Sequence, residues 1–215
     1  MKWLGAFITL LFLTIPAPAA TDVWLFYGAG PHIFSSGINQ IARKAKAING
    51  VGRVSTWDYR STQAVYDQIR ASPTSDHKVI VGYSCGGNAA LVIAQSLASS
   101  GTPVNILLMQ PSVWCGWYLP TTSNVTYAQD TYAGCLQTFG LGCLRIYGSA
   151  QRNVNIFRPE NHLRADTDPD YQRDVLNAIN CIANPSRCGR MRHLPRTADV
   201  TLYVGQSNYW NLHGN

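Results

Sequence analysis

No run of apolar residues in this sequence is long enough to cross a membrane. The longest follows a basic start at residues 1–3 and ends at Ile15, about twelve residues against the roughly twenty that a spanning helix needs. A basic start, a short apolar stretch and an Ala-x-Ala ending are typical of a secretory signal peptide. We therefore predict cleavage after Ala19 or Ala20, export to the periplasm or the medium, and no stable membrane insertion.

Spacings that bind metals or nucleic acids are also absent. The 6 cysteines and 5 histidines form no C-x-x-C or H-x-x-x-H pattern, so we expect no metal and no cofactor. Lysine and arginine outnumber aspartate and glutamate by 17 to 11, a net charge of +6, yet no nucleic-acid-binding motif accompanies the excess. A solvated basic surface explains the charge equally well, and we expect no nucleic-acid partner.

The chain has no internal repeat and no low-complexity linker. Without the signal peptide about 195 residues remain, which is ample for one hydrophobic core and tight for two. We therefore predict one domain, and we expect it to be monomeric. Residues 1–20 are assigned to the signal peptide, residues 21–185 to the domain, and residues 186–215 to a basic C-terminal extension packed on that domain or trailing it.

Apolar strand patterns alternate with amphipathic helix patterns through residue 110. Such alternation predicts an α/β protein: a mostly parallel sheet with right-handed crossovers and helices on both faces, which is a three-layer α/β/α sandwich. The rest of the chain predicts three further strands and a helix that begins at Asp168-Pro169. The predicted strands lie near residues 22–27, 52–57, 79–83, 104–109, 125–129, 154–157 and 200–204.

The third predicted strand leads into Gly82-Tyr83-Ser84-Cys85-Gly86 and then at once into a helix of small apolar residues. Strand, Gly-x-Ser-x-Gly and helix in this order are the pattern of a nucleophile elbow. The sharp turn forces strained backbone angles on Ser84, and nearby chain leaves no room for side chains at Gly82 and Gly86. We therefore predict that Ser84 is a catalytic nucleophile, the alternative being a glycine-rich turn with an idle serine.

Two backbone N–H groups are predicted to form an oxyanion hole beside Ser84. Cys85 supplies one, because it begins the helix, where N–H groups lack acceptors and the helix dipole is positive. Ala29 supplies the other, from a Gly-Ala-Gly loop at 28–30 that follows the first strand. This loop is not a dinucleotide-binding fingerprint, because Ile33 occupies the place of its third glycine and no acidic residue follows about twenty positions on.

A serine hydroxyl needs a base to take its proton, and histidine is the side chain suited to that near neutral pH. Of the 5 histidines, only His162 lies in a loop after the last core strand and before the last helix. We therefore predict that His162 is the general base. The histidines set aside are His32, His77, His193 and His213.

Through the motif at residues 82–87 and the order of serine, acid and histidine, the chain resembles the α/β-hydrolases. The pattern H-x-x-x-D-x-D-P at residues 162–169, ahead of the final helix, is similar to that of small cap-less serine hydrolases of bacteria and phages, cutinase-like in size. The resemblance covers about residues 23–181. It implies the minimal α/β-hydrolase fold without a cap domain.

The catalytic acid is where the chain departs from these families. Such relatives often carry Asp-Pro after the strand that follows the elbow helix, and Gln110-Pro111 stands there instead. Glutamine can orient a histidine by accepting its N–H, but it cannot stabilise the imidazolium with a negative charge. Asp130, after the next predicted strand, is our first choice for the acid. Asp166 is the second, and Asp168 is assigned to capping the last helix.

Residues 110–124 are rich in aromatic side chains and follow a strand beside the elbow. In open α/β sheets, ligands bind at this edge. Trp114, Trp117 and Tyr118 are therefore predicted to contact the substrate, unless they only cover the sheet. The loop is too short for a cap domain, so we expect a shallow, open site.

The 6 cysteines of an exported chain predict disulfides. Two pairs close short loops, which is the least costly arrangement, and the third pair takes the cysteines that remain. The predicted pairs are Cys135 with Cys143, Cys181 with Cys188, and Cys85 with Cys115. For Cys85 the alternative is a buried free thiol in the first turn of the elbow helix.

Together these features predict an exported serine hydrolase that cleaves carboxylic ester or thioester bonds of a small-molecule substrate through an acyl-enzyme, without a cofactor. One alternative is a non-catalytic binding protein with a hydrolase fold. Another is a serine peptidase or amidase, which activity on peptides but not on esters would favour.

Overall fold

Four α-helices and seven β-strands form the regular structure of the computed structural model, which describes residues 19–30, 35–116, 120–133, 141–143, 145–158, 162–187 and 200–203. In chain order the elements are β1 (Thr21–Phe26), α1 (Ser36–Lys46), β2 (Val51–Trp57), α2 (Thr62–Ala71), β3 (His77–Ser84), α3 (Cys85–Ser99), β4 (Val104–Pro111), β5 (Val125–Tyr132), β6 (Asn153–Phe157), α4 (Pro169–Ala183) and β7 (Val200–Tyr203).

All seven strands lie in one sheet in the order β2-β1-β3-β4-β5-β6-β7, and every neighbouring pair is parallel. Parallel neighbours need crossover connections, and α1, α2 and α3 supply these among the first four strands. Residues 78–83 of β3 are buried on both faces, as expected of a strand between two helix layers. The predicted α/β class with a parallel sheet is confirmed.

Helices cover both faces of the sheet. α1 and α4 pack on one, the α1/α4 face, whose core includes Val81 and Leu108. α2 and α3 pack on the other, the α2/α3 face, whose core includes Ile80 and Leu107. Successive residues of a strand therefore belong to opposite cores, as the alternation of side chains along a strand requires.

The carboxyl ends of β1, β3 and β4 lie side by side. Phe26 of β1 pairs with Gly82 of β3, and Ser84 at the end of β3 pairs with Pro111 of β4. The segments that follow these three strands therefore begin around Ser84. This edge is where ligands bind in open α/β sheets.

Two strands run further than the sequence predicts. β4 includes Gln110 and Pro111, and β5 continues to Tyr132. Asp130 therefore lies inside β5 rather than after it. The extension of β5 has a physical cause, because its last residues are β-branched or aromatic and pair with β6.

The N-terminus of α4 has the predicted cap. Asp168 Oδ1 accepts the Tyr171 N–H at 2.7 Å, and Pro169 follows the cap. At α1 the cap position is held by Ser35, which makes no side-chain capping bond. Its hydroxyl instead accepts the Gly28 N–H at 3.1 Å and so ties the two ends of residues 28–35 together.

β7 pairs in parallel with β6 and lies at one edge of the sheet, where a strand was predicted at 200–204. At least this part of the basic C-terminal extension belongs to the sheet. In the ranges given above, no helix is both long and apolar enough to cross a membrane. Residues 1–18, which carry most of the predicted signal peptide, lie outside the described residues.

One disulfide joins Cys85 to Cys115. This confirms the predicted pair and overturns the alternative of a free thiol at Cys85. Cys143 and Cys181 are also disulfide-bonded. Their predicted partners, Cys135 and Cys188, lie outside the described residues. Disulfides are compatible with the oxidising surroundings of an exported protein.

Candidate active site

Ser84 joins β3 directly to α3. The strand ends at Ser84 and the helix begins at Cys85. Ser84 has φ 55° and ψ −127°, and in the described part of the chain no other residue except glycine has a positive φ. A serine in this region of backbone conformation is strained, and the strain persists only where the surrounding structure enforces it.

Close backbone contacts enforce the turn at Ser84. A Cβ on Gly82 would overlap the Gly86 carbonyl, and a Cβ on Gly86 would lie 2.5 Å from the carbonyl oxygen of Phe26 in β1. Both positions therefore need glycine, as the sequence predicts. Packing of α3 against β1 holds Ser84 at the edge of the sheet, where it is half-buried.

Both predicted oxyanion donors belong to segments that contact Ser84. Cys85 is the first residue of α3, so its N–H is among those with no acceptor inside the helix. Gly28 lies directly against the serine, because a Cβ on Gly28 would come within 2.8 Å of the Ser84 Cβ and 3.4 Å of its Oγ. Ala29 follows Gly28 and is exposed. The loop that carries Ala29 therefore passes beside the serine.

The segment after β4 is fastened to the start of α3 at two points. Asn88 Oδ1 accepts the Ser112 N–H at 2.9 Å, and Cys115 is bonded to Cys85. The hydrogen bond holds the beginning of this segment, and the disulfide holds its end. Residues 112–115 are thereby kept next to the residue that follows the nucleophile.

Trp114 lies between these two fastenings and is 72% exposed. Its N–H donates to the Ser112 hydroxyl at 3.3 Å, which shapes the short 3-10 turn that carries it. Trp117 and Tyr118, the other predicted substrate contacts, lie outside the described residues. Trp114 is thus placed at the sheet edge that holds Ser84, and its contact with a substrate stays a prediction.

His162 lies over the α1/α4 face, against the residue that precedes the nucleophile. Its ring stacks on Tyr83, with the ring centroids 5.2 Å apart and an angle of 22° between the planes. The Tyr83 hydroxyl donates a hydrogen bond to the His162 backbone carbonyl. Gly142 also packs against the ring, since a Cβ there would overlap the imidazole Nδ1. Tyr83 and Gly142 therefore determine where the imidazole sits.

Burial keeps the His162 imidazole neutral. The side chain is 1% exposed, and this loss of water lowers its pKa from 6.5 to about 4. A neutral imidazole is the form that can accept a proton. Neither ring nitrogen has a hydrogen-bond partner among the described residues, so no such bond joins it to Ser84 or to a carboxylate. The structure brings His162 to Tyr83 without completing a triad.

Asp166, the second choice for the catalytic acid, caps α1. Its Oδ2 accepts the N–H groups of Gly37 at 2.8 Å and Ile38 at 3.3 Å. Gln172 Nε2 donates to the Asp166 backbone carbonyl at 3.0 Å. Burial raises the pKa of Asp166 to about 6, against the opposing effect of these N–H donors. The carboxylate is thereby engaged in holding the segment 162–167 to α1.

Asp130, the first choice for the acid, faces the other side of the sheet. It pairs with Met109, which belongs to the α2/α3 core, and paired residues of parallel strands share a face. The side chain is completely buried, and burial raises its pKa well above the usual range. Neither carboxylate oxygen has a hydrogen-bond partner among the described residues. The structure does not bring Asp130 to His162, because Asp130 lies inside β5 instead of in a loop after it.

Two residues that shape the site gave no signal in the sequence. Gly142 contacts the His162 ring, and Asn88 holds the segment after β4. Both act through contacts between distant parts of the chain. Gly142 stands out only once its φ of +65° and the neighbouring imidazole are known.

No protein-family model matches the chain, and neither a curated protein nor a solved structure does. Across the described ranges, no three or more His, Cys, Asp or Glu side chains are grouped so that they could hold a metal ion. The protein is therefore classed by its fold and its site: a parallel α/β protein with a strained serine between a strand and a helix.

Proposed function

We propose that the chain is a serine hydrolase of the α/β-hydrolase type, which cleaves carboxylic ester or thioester bonds. The observation that carries the proposal is the backbone of Ser84, with φ 55° at the junction of β3 and α3. Such a conformation costs about 1–3 kcal/mol and is concentrated at functional sites. An idle serine would not need it, because glycine adopts the same turn without strain.

The first step is acylation of the serine. Ser84 Oγ attacks the carbonyl carbon of the substrate while an imidazole nitrogen of His162 takes the hydroxyl proton. The Cys85 and Ala29 N–H groups donate to the oxyanion that forms, assisted by the positive end of the α3 dipole. The tetrahedral intermediate then collapses, and His162 gives its proton to the departing alcohol or thiol.

The second step is hydrolysis of the acyl-enzyme. Water attacks the acyl carbon as His162 takes its proton, and the same N–H groups stabilise the second oxyanion. Collapse of that intermediate releases the carboxylic acid and returns the proton from His162 to Ser84 Oγ. At neutral pH the imidazole is unprotonated and able to accept a proton, but a pKa of about 4 makes it a weaker base than an ordinary histidine.

A fluorophosphonate probe tests the nucleophile. We expect it to label the folded wild-type protein and to leave Ser84→Ala unlabelled. Ser96→Ala is the matched control, because Ser96 is an exposed serine on the same helix and its labelling should equal that of wild type. Turnover of p-nitrophenyl acetate should fall by about 10³-fold or more in Ser84→Ala and His162→Ala. If the folded wild-type protein is not labelled, the proposal is wrong.

A ligand-binding protein with the same fold is the second candidate. The surroundings of His162 favour this candidate. Neither ring nitrogen has a hydrogen-bond partner in the described structure, and Gly142 packs against the ring. Such a protein would bind esters or acids in saturable fashion without turning them over. Calorimetric binding by the wild type together with no labelling and no turnover would select this candidate.

Export is part of the proposal, and the structure around Ala20 favours cleavage after Ala19. The Ala20 N–H donates to Asp76 Oδ1 at 3.2 Å, and its carbonyl accepts the His77 N–H at 2.8 Å. Cleavage after Ala19 leaves both contacts and turns the first into an ammonium–carboxylate pair. We expect intact mass spectrometry of the protein expressed from its full sequence to give a chain starting at Ala20, whereas a chain starting at Met1 would contradict cleavage and export.

A further inference from the structure

Tyr83 has two polar neighbours on the α1/α4 face. Gln110 is its paired residue on β4, and paired residues on neighbouring parallel strands share a face at a spacing of about 4.8 Å. His162 stacks on the Tyr83 ring, with a centroid distance of 5.2 Å. The Gln110 amide and the His162 imidazole therefore approach the same side chain from the same side of the sheet.

Both neighbours have buried polar atoms that lack a hydrogen-bond partner within the described structure. Gln110 is 1% exposed, and its Oε1 accepts no hydrogen bond within the described structure. His162 is equally buried, and neither of its ring nitrogens is bonded there. A neutral imidazole has one N–H donor, and an amide oxygen is an acceptor. Buried polar groups are nearly always paired in folded proteins, so each group meets the requirement of the other.

Neither carboxylate predicted as the catalytic acid is bonded to His162. Asp166 is held at the N-terminus of α1, where its Oδ2 accepts the N–H groups of Gly37 and Ile38, while its Oδ1 has no hydrogen-bond partner within the described structure. Asp130 shares the α2/α3 face with Met109, on the opposite side of the sheet from Tyr83. Gln110 is thus the acceptor on the strand next to β3 and on the face where His162 lies.

We infer that Gln110 is the positioning residue of His162: its Oε1 accepts the imidazole N–H and leaves the other ring nitrogen to act on Ser84. The catalytic meaning of this bond rests on the proposed function, but the bond itself does not. Forming this bond would break no existing hydrogen bond of Oε1 or of the imidazole.

A neutral acceptor has a different effect from a carboxylate. Gln110 orients the ring and selects its tautomer, but it adds no negative charge that would stabilise the imidazolium formed during the reaction. An amide in place of a triad carboxylate lowers turnover by as much as about 10⁴-fold. The protein is therefore a slow hydrolase that a single carboxylate at position 110 accelerates.

The other titratable groups around His162 do not hide the effect of a charge at position 110 on the His162 pKa. Burial raises the pKa values of Tyr83 on β3 and Tyr171 on α4, so both are uncharged at neutral pH. The Asp166 carboxylate, whose pKa is about 6, titrates in the same range in every variant, so its influence cancels when the variants are compared. Arg158, after β6, is paired with Asp174 at 2.6 Å. A charge introduced at position 110 thus adds a new influence on the His162 pKa.

The test that needs no turnover is an NMR titration of His162 in the Ser84→Ala background, with the signal assigned from a His162→Gln spectrum. Gln110→Glu should raise the His162 pKa from about 4 by about one unit or more, because a neighbouring carboxylate favours the imidazolium. Gln129→Glu is the matched control, because it introduces the same charge at another buried glutamine on the same face of the sheet. Gln129 lies on β5 and pairs with the β4 residue two positions before Gln110. Its shift should be clearly smaller. Equal shifts, or none for Gln110→Glu, would overturn the inference.

The kinetic test uses the otherwise wild-type enzyme. Gln110→Glu should raise kcat by about tenfold or more and move the acidic limb of the pH profile upward with the His162 pKa. Gln110→Met, similar in size but without an acceptor, should lower kcat at least about tenfold with little change in KM. Asp130→Asn should leave kcat near wild type. A Gln110→Met enzyme that is folded and fully active would overturn the inference, whereas an inactive wild type would overturn the proposed function and leave the titration to decide the bond.

Discussion

Asp166 Oδ2 accepts the Gly37 N–H at 2.8 Å, across 129 residues of sequence. The bond joins the segment that carries His162 to the N-terminus of α1, where a carboxylate also interacts favourably with the helix dipole. Gly37 leaves space for it, because a Cβ there would overlap the Asp166 backbone carbonyl. The placement of His162 therefore depends on α1 as well as on the strand before it.

Replacement of Asp166 should cost stability more than activity. Asp166→Ala removes the cap and should lower the free energy of unfolding by about 1–2 kcal/mol, measured by urea denaturation. Asp166→Asn keeps an acceptor oxygen and should lose less than Asp166→Ala. Its kcat should stay near wild type. A collapse of kcat in Asp166→Asn with unchanged stability would instead make Asp166 the catalytic acid.

Acid should destabilise the protein through His162. The His162 pKa is about 4 in the folded state and 6.5 when unperturbed, so below pH 6.5 the unfolded chain takes up a proton that the folded chain refuses. The free energy of unfolding should therefore fall as the pH drops from 6.5 to 4, by up to about 3 kcal/mol from this group.

Asp166 acts in the opposite direction over nearly the same range. Its pKa is raised from 3.8 to about 6, so acidification protonates the folded state first and adds stability. His162→Gln removes only the destabilising effect, so on going from pH 6.5 to pH 4 its unfolding free energy should change in the favourable direction relative to wild type, by up to about 3 kcal/mol. Urea denaturation at several pH values measures the difference, and parallel pH curves for the two proteins would show that His162 is not buried as a neutral base.

Gly142→Ala should disable the site by displacing an imidazole. The added Cβ overlaps His162 Nδ1, and a misplacement of a catalytic group by about 1 Å can lower kcat about 10²-fold. Gly101→Ala is a matched control, since Gly101 has a φ of +67° against +65° for Gly142 but has nothing within 4 Å of an added Cβ.

Both alanine variants carry the same backbone strain, which should cost each of them about 1–2 kcal/mol of stability. Gly101→Ala should keep its kcat and show only the lower melting temperature. A similar loss of kcat in both variants would mean that backbone strain, and not the contact with His162, is responsible.

The Cys85–Cys115 disulfide should contribute stability and hold Trp114 in place. It closes a loop with a sequence separation of 30, for which chain entropy gives about 3.5 kcal/mol. The double variant Cys85→Ser/Cys115→Ser should lose stability on that scale in urea denaturation. The Asn88–Ser112 bond still anchors the start of the segment, so kcat should fall less than KM rises. An unchanged KM would mean that the segment does not bind substrate.

Much of the fold follows from local patterns. The elbow, the alternation of strands and helices, and the Asp168 cap each depend on residues close together in the chain, and the structure agrees with all three. The end of β5 was harder to predict. Thr131 and Tyr132 continue the strand because β6 lies beside them, and the pairing partner of a strand cannot be read from the strand itself.

The candidate site, like the fold, has features that local sequence predicts and features that depend on distant parts of the chain. The strain at Ser84 was predictable, because a strand that turns directly into a helix imposes it whatever the rest of the chain does. The face on which Asp130 lies and the partners of Asp166 were not predictable. A shift of one residue in a strand moves a side chain to the opposite face, and Asp166 meets α1 only because α1 and α4 pack on the same face of the sheet.

By itself the amino-acid sequence determined the class of fold, the strained serine and the glycines around it, since short-range sterics and hydrophobic periodicity act within a few residues. Only the tertiary structure decided what surrounds His162: Tyr83 and Gly142 at its ring, Asp166 turned to α1, and Asp130 on the far face. Those contacts join residues far apart in the chain, and they exist only when the helices and strands are packed together.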